Sequence, residues 1–152
     1  MKNIYQQRMT ADVEGDVVVF LIGLRINRPW KIHRWLPVFL AMPTMLKELY
    51  RNPDLGFVHQ ESWLGRTTIM VQYWRSLEQL EQYAKNQSFT HLPAWAAFNK
   101  KIGSNGDLGI WHETYLCREG DQESVYNNMP RFGLAKFAGH IPAKGRRGFS
   151  AH

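Results

Sequence analysis

Tyr73-Trp74-Arg75-Ser76-Leu77-Glu78-Gln79-Leu80-Glu81-Gln82-Tyr83 decides the fold, because it joins the end of a strand to the start of a helix at a single residue. Ser76 is a good N-cap: its hydroxyl accepts a hydrogen bond from a free amide of the first turn, and Gln79 stands three residues on as the reciprocal capping-box partner. Leu77, Leu80, Tyr83 and Ala84 then share one helical face, so the helix is expected from Ser76 to about Asn86. Phe89-Thr90-His91-Leu92-Pro93-Ala94-Trp95 follows, with a lone His ahead of a Pro suited to the first turn of a further short helix ending near Ile102.

Working back from Ser76, Thr67 to Trp74 reads as a strand, and Leu55 to Leu64 as its hairpin partner across a tight Gly65-Arg66 turn. On that partner Phe57, His59, Glu61 and Trp63 fall on one face at a period of two. Val17 to Ile26 carries Val18, Phe20, Ile22, Leu24 and Ile26 on one face and Val17, Val19 and Leu21 on the other, so both faces are apolar. The last strand, about Gly109 to Leu116, is entered through an Asn105-Gly106-Asp107 turn. It sets Ile110, His112, Thr114 and Leu116 on one side and Trp111, Glu113 and Tyr115 on the other, so His112 and Glu113 point apart. Arg34 to Arg51 has apolar residues at helical spacing; Pro43 predicts a kink or break there, and Asn52-Pro53-Asp54 ends the helix.

The order is β-α-β-β-α-β, an α+β chain with the ferredoxin-like split unit. Two main helices cover only one face of a four-stranded sheet, yet several strands are apolar on both. A homodimer whose sheets pack face to face supplies the missing cover.

A length of 152 residues, 44% of them hydrophobic, suits one core. We divide the chain into an N-terminal extension (1–15), the α+β domain (16–117) and a C-terminal arm (118–152). In that arm six Lys and Arg stand against three acids, half of the +6 net charge. Tyr126 to Ile141 has enough aromatic and Met content to dock, on its own or a partner subunit, and to help close a pocket mouth; disorder is expected from Gly145 onward. Cys117 is the single cysteine, which excludes an intrachain disulfide and points to a reducing, cytoplasmic setting. Met1 to Gly15 lacks the apolar run of a secretory signal, and Val17 to Ile26 is too short to span a bilayer. Basic residues are spread along the chain rather than gathered on one element, which argues against a nucleic-acid partner.

The order strand, Trp, capped helix, His resembles the dimeric α+β barrel superfamily, which includes antibiotic-biosynthesis-type and haem-degrading monooxygenases. Within it the chain is similar to a family of monooxygenase-like proteins. The similarity rests on Trp30-Lys31-Ile32-His33-Arg34-Trp35-Leu36-Pro37, His91-Leu92-Pro93-Ala94-Trp95, Gly109-Ile110-Trp111-His112-Glu113-Thr114-Tyr115 and Asn127-Asn128-Met129-Pro130, and covers about residues 16–145. It implies a dimeric α+β barrel with a small-molecule pocket between sheet and helices. For His91 it implies a pocket base or an axial haem ligand, so the cofactor is either none or haem b.

From the residues themselves, His91 sits at a bend between elements, where functional side chains are common, although a surface His is the ordinary case. Glu113 lies between Trp111 and Tyr115, where desolvation would raise its pKa toward the range of a general base; the plain alternative is a strand-edge carboxylate paired with Arg or Lys. Trp35, Phe39, Trp74, Trp95, Trp111 and Tyr115 would line a cavity for a small apolar or aromatic substrate, or simply fill a core. No His-x-x-x-His, no cysteine cluster and no Gly-rich phosphate loop is present in the sequence.

Three functions follow: a monooxygenase that deprotonates an apolar substrate, a haem enzyme of the degrading or aldoxime-dehydratase type, and a non-enzymatic ligand-binding or membrane-surface protein. The last draws on Trp30, Lys31, His33, Arg34, Trp35, Leu36, Phe39 and Leu40, which mix basic and bulky apolar residues as an interfacial helix does.

Overall fold

The computed structural model describes residues 3–89, 96, 100 and 103–143. In chain order the elements are β1 (Met9–Asp12), β2 (Val17–Ile26), α1 (Ile32–Arg51), β3 (Phe57–Trp63), β4 (Ile69–Trp74), α2 (Leu77–Lys85), β5 (Leu108–Cys117) and β6 (Gly139–Pro142). The main sheet is antiparallel in the order β3-β4-β2-β5, the ferredoxin-like arrangement, and its two-sided apolar strand β2 is central.

Even-numbered residues of β2 face the helices. Val18 joins Leu49, Phe57, Trp74, Leu80 and Tyr83 in one buried cluster, and Leu24 and Ile26 join Leu108 in a second that Trp35, Val38, Met42 and Ile110 flank. Trp74 has no exposed surface: its ring lies 5.6 Å from both Phe57 and Tyr83, and its Nε1–H donates to Gln72 Oε1 at 2.9 Å. α2 starts at the expected cap, with the Gln79 amide donating to Ser76 Oγ at 3.2 Å. The reciprocal bond differs: the Gln79 side chain meets the Ser76 hydroxyl, and its carboxamide packs against Gly56, where a Cβ would lie 2.3 Å from Oε1. Leu80 and Tyr83 are buried while Ala84, expected on the same face, is exposed.

Three further departures have local causes. α1 begins before Arg34 and runs unbroken through both Pro37 and Pro43, so the expected break at Pro43 does not occur. β4 starts at Ile69 rather than Thr67, because Thr68 turns aside: its amide donates to Leu24 O at 2.8 Å and its Oγ1 accepts from the Leu24 amide at 3.0 Å. The Thr68 carbonyl then lies 2.0 Å from where a Cβ on Gly23 would stand, so only glycine fits there. Lastly, a bulge between Phe57 and His59 sends Phe57 to the helix side and His59, Glu61 and Trp63 to the other, dividing four residues expected on one face.

The segment read as an N-terminal extension contributes β1, which pairs antiparallel with β6 of the arm in a second, two-stranded sheet. The arm folds over the helix-free side of β3 and β4. Phe132 packs on Trp63 and Phe137 on Tyr73, with ring centroids 6.0 and 5.3 Å apart. This cover is intrachain, and it lies across the sheet from the helices, so the arm does not close a pocket between sheet and helices. Burial pushes the Tyr73 hydroxyl up to about 12, helped by Tyr126 and Glu61 beside it.

Gly133 sits at the centre of this contact with φ +54°, and a Cβ there would lie 3.0 Å from the Tyr73 hydroxyl. Gly133→Ala is therefore expected to cost about 1–2 kcal/mol, the scale of forcing an L-residue into the left-handed region. Urea denaturation checks this, and an unchanged midpoint would show that the arm does not rest on this contact.

Candidate active site

The sheet divides the residues singled out from the sequence into two groups. β5 pairs with β2 so that Trp111, Glu113 and Tyr115 stand opposite Gly23, Leu21 and Val19, on the helix-free side. Trp35, Phe39 and Trp74 belong to the helix side, where Trp35 and Phe39 meet edge to face at 6.3 Å. His91 and Trp95 lie outside the described residues.

On the helix-free side Glu113 is exposed. It accepts a hydrogen bond from the Tyr115 hydroxyl at 2.7 Å, and that bond raises the tyrosine's pKa. Trp111 lies over Gly23, its indole nitrogen 2.7 Å from the position of the absent Cβ and without a hydrogen-bond partner. His59 and Glu61 also belong here: Nε2 and Oε1 are 3.0 Å apart, and the same oxygen accepts from the Gly133 amide at 3.4 Å. That carboxylate is therefore tied to the arm rather than presented to a ligand.

The helix side is built differently. Phe20 packs at the edge of the first cluster, Ile22 belongs to neither, and both are only half-buried. His112 stands directly opposite Ile22 in the β2–β5 register, with its ring 5.8 Å from Phe20. Apolar walls with one titratable group between them are what a small-molecule site needs. The sequence excludes His112 only as a dyad partner of Glu113, because the two point apart. Its alternation with Ile110, whose face packs on the helix-side cluster, was the signal that identifies its side.

The turn into β5 is fixed by Asp107. Its buried carboxylate receives Arg28 Nη1 at 2.6 Å and Lys31 Nζ at 2.9 Å, with Arg34 Nε at 4.0 Å, while its carbonyl accepts from the Asn27 and Arg28 amides. The start of α1 is thereby tied to β5. The Lys31 hydrogen bond, aided by Arg28 against some desolvation, holds the Asp107 carboxyl below its ordinary pKa. A lowered folded-state pKa contributes stability above the ordinary carboxylate range and loses it as pH falls through the folded value. Asp107→Asn is expected to flatten the acid limb of stability against pH. Thermal melts from neutral to acid pH check this; an unaltered acid slope would contradict it.

Among the described residues no group of three or more His, Cys, Asp or Glu side chains is placed to hold a metal ion. Residues 17–134 match the profile of the Monooxygenase af470-like family. The chain belongs to that family. The matched span opens at the first residue of β2 and closes just past Gly133, so the Monooxygenase af470-like unit includes the sheet, both helices and the arm as far as its contact with Tyr73. A curated relative, Monooxygenase af470 of Aspergillus fumigatus, is 29% identical over 126 residues, covering 76% of this chain and 44% of the relative. This chain thus spans less than half the length of that protein.

Among solved structures an aldoxime dehydratase matches with a TM-score of 0.65 and 20% identity, over 91% of this chain and 42% of that one. That likeness shows the α+β fold. SnoaB, a cofactor-independent oxygenase from Streptomyces nogalater, matches with a TM-score of 0.46 and 17% identity, over 68% of this chain and 94% of that one.

Proposed function

We propose that this chain forms the substrate-binding unit of a monooxygenase, that a small apolar substrate lies between α1 and the β2–β5 half of the sheet, and that His112 handles the proton. The supporting observation is the Phe20–Ile22 stretch of β2, whose two helix-side residues are half-buried beside an imidazole. An imidazole ring nitrogen can take a proton and return it, which suits this role.

An enol-type substrate, or a phenol or quinol whose keto tautomer carries an acidic methylene, gives a proton from that methylene to His112, and the carbanion left behind is the electron donor to O₂. The methylene ends as a carbonyl carrying one oxygen atom, and the other oxygen leaves as water, so the substrate itself is the reductant. The other reading of the family resemblance places haem b on His91. That residue is outside the described ones. A Soret band on adding haem to the purified protein would favour that reading.

A second copy packing against the helix-free side of β2 and β5 is also part of the proposal. Val19, Leu21 and Trp111 are half-buried there and the arm's ring contacts are with β3 and β4. Light scattering at micromolar concentration that shows only monomer would contradict it.

The reaction is tested with isotopically heavy O₂ and a panel of phenols, quinols and enols. One labelled atom in the product and one in water support a monooxygenase; consumption of no candidate, or loss of substrate without label, contradicts it.

A further inference from the structure

The beginning of α1 is apolar on the side away from the sheet as well as on the side toward it. Ile32, Leu36 and Leu40 recur every four residues along the outer face and are 53%, 37% and 62% exposed, and Trp30, just before the helix, is 73% exposed. A helix face this apolar is normally covered. At the same end of the sheet the β3–β4 turn exposes Leu64 to 70%. The turn is fastened there by Arg66, whose guanidinium donates to the carbonyls of Ile26 and Asn27.

The apolar side chains are interleaved with positive charge. Arg28 and Lys31 share the Asp107 carboxylate, so one carboxylate is set against two cations, and Arg66 adds a third. Arg25, bonded to Thr67 at 2.6 Å, is a fourth. Neither the first turn of α1 nor its N-cap brings an acid to offset them.

We propose that this end of the molecule, formed by the start of α1 and the β3–β4 turn, docks on an anionic lipid surface. Exposed Trp and Leu beside Arg and Lys match the two parts of such a surface, the acyl boundary and the anionic headgroups. The alternation of Ile32, Leu36 and Leu40 lays α1 along that plane rather than across it, and no helix among the described residues is long and apolar enough to cross a membrane. A second copy fits less well, because it would bring two sets of cations together. Nucleic acid fits less well again, because aliphatic Ile32, Leu40 and Leu64 neither pair with phosphate nor stack on bases.

This inference goes beyond the proposed function and does not depend on it, since none of these side chains belongs to the proposed site. The full chain is spun with vesicles of phosphatidylcholine containing about a third phosphatidylserine, and with phosphatidylcholine alone. The chain is expected to sediment with the anionic vesicles and about tenfold more weakly with the neutral ones. A triple variant, Trp30→Ser with Ile32→Gln and Leu64→Ser, is expected to lose about tenfold in partition while keeping the wild-type melting temperature. If the triple variant does not fold, Leu40→Gln alone is expected to weaken sedimentation in the same direction. No sedimentation of the wild type overturns the proposal. So does equal sedimentation of the folded variants, which would mean that net charge alone drives binding, and so does a lipid-free oligomer that the substitutions dissociate.

Discussion

Replacing His112 with Ala is expected to lower turnover about a hundredfold or more, the usual scale of losing a positioned base, while leaving the melting temperature close to that of the wild type. The second half of that expectation follows from exposure: His112 is an exposed residue of β5, so little packing is lost. Glu113→Gln, one residue away, is expected to leave turnover within about twofold, because the sheet lies between that carboxylate and the helix-side site. The pair of variants separates the two faces. Equal losses at both positions, or a loss at Glu113 alone, would move the chemistry to the helix-free side.

Trp74→Ala should be the most damaging single truncation in the domain, at about 3–5 kcal/mol, enough to unfold a marginally stable chain. The indole is fully buried and meets Phe57 from β3 and Tyr83 from α2, so it holds strand, strand and helix together at one point. It also satisfies the Gln72 carboxamide, which is itself buried and whose nitrogen is left only the Met70 sulfur. Trp74→Phe keeps most of the volume but strands that carbonyl oxygen, so it is expected to cost about 1–3 kcal/mol for the unmet acceptor on top of the smaller ring. Chemical denaturation measures both. If the Phe variant is as stable as the wild type, the hydrogen bond contributes nothing and packing alone explains the site.

The parts of the fold legible in the sequence are those decided within a few residues. The Ser76 cap, the period-two runs of β2 and β5 and the helical spacing of α1 each depend on neighbours in the chain. What was hidden depends on distant partners. β1 and β6 are four residues each, and their pairing joins Met9 to Pro142 across nearly the whole chain. The bulge at Phe57 was invisible because an extra residue changes which face a side chain occupies without altering the alternation before or after it.

The same reasoning explains the candidate site. Aromatic residues could be counted from the sequence, but their side of the sheet could not be assigned until the helix-facing register of β2 was known. Trp111 and Tyr115 therefore stood with Trp35 and Trp74 as one set, whereas the sheet lies between them. His112 is not singled out by the sequence for the converse reason. Its distance from Glu113 mattered less than its closeness to Phe20, a contact between two strands with no trace in local spacing.

A crystal structure of the full chain with a bound phenol or quinol bears most directly on the central claim. The account predicts density on the helix side of the sheet, between α1 and the Phe20–Ile22 stretch of β2, with a substrate oxygen or carbon next to the His112 ring. Density on the opposite side, against Trp111, Glu113 and Tyr115, would contradict it.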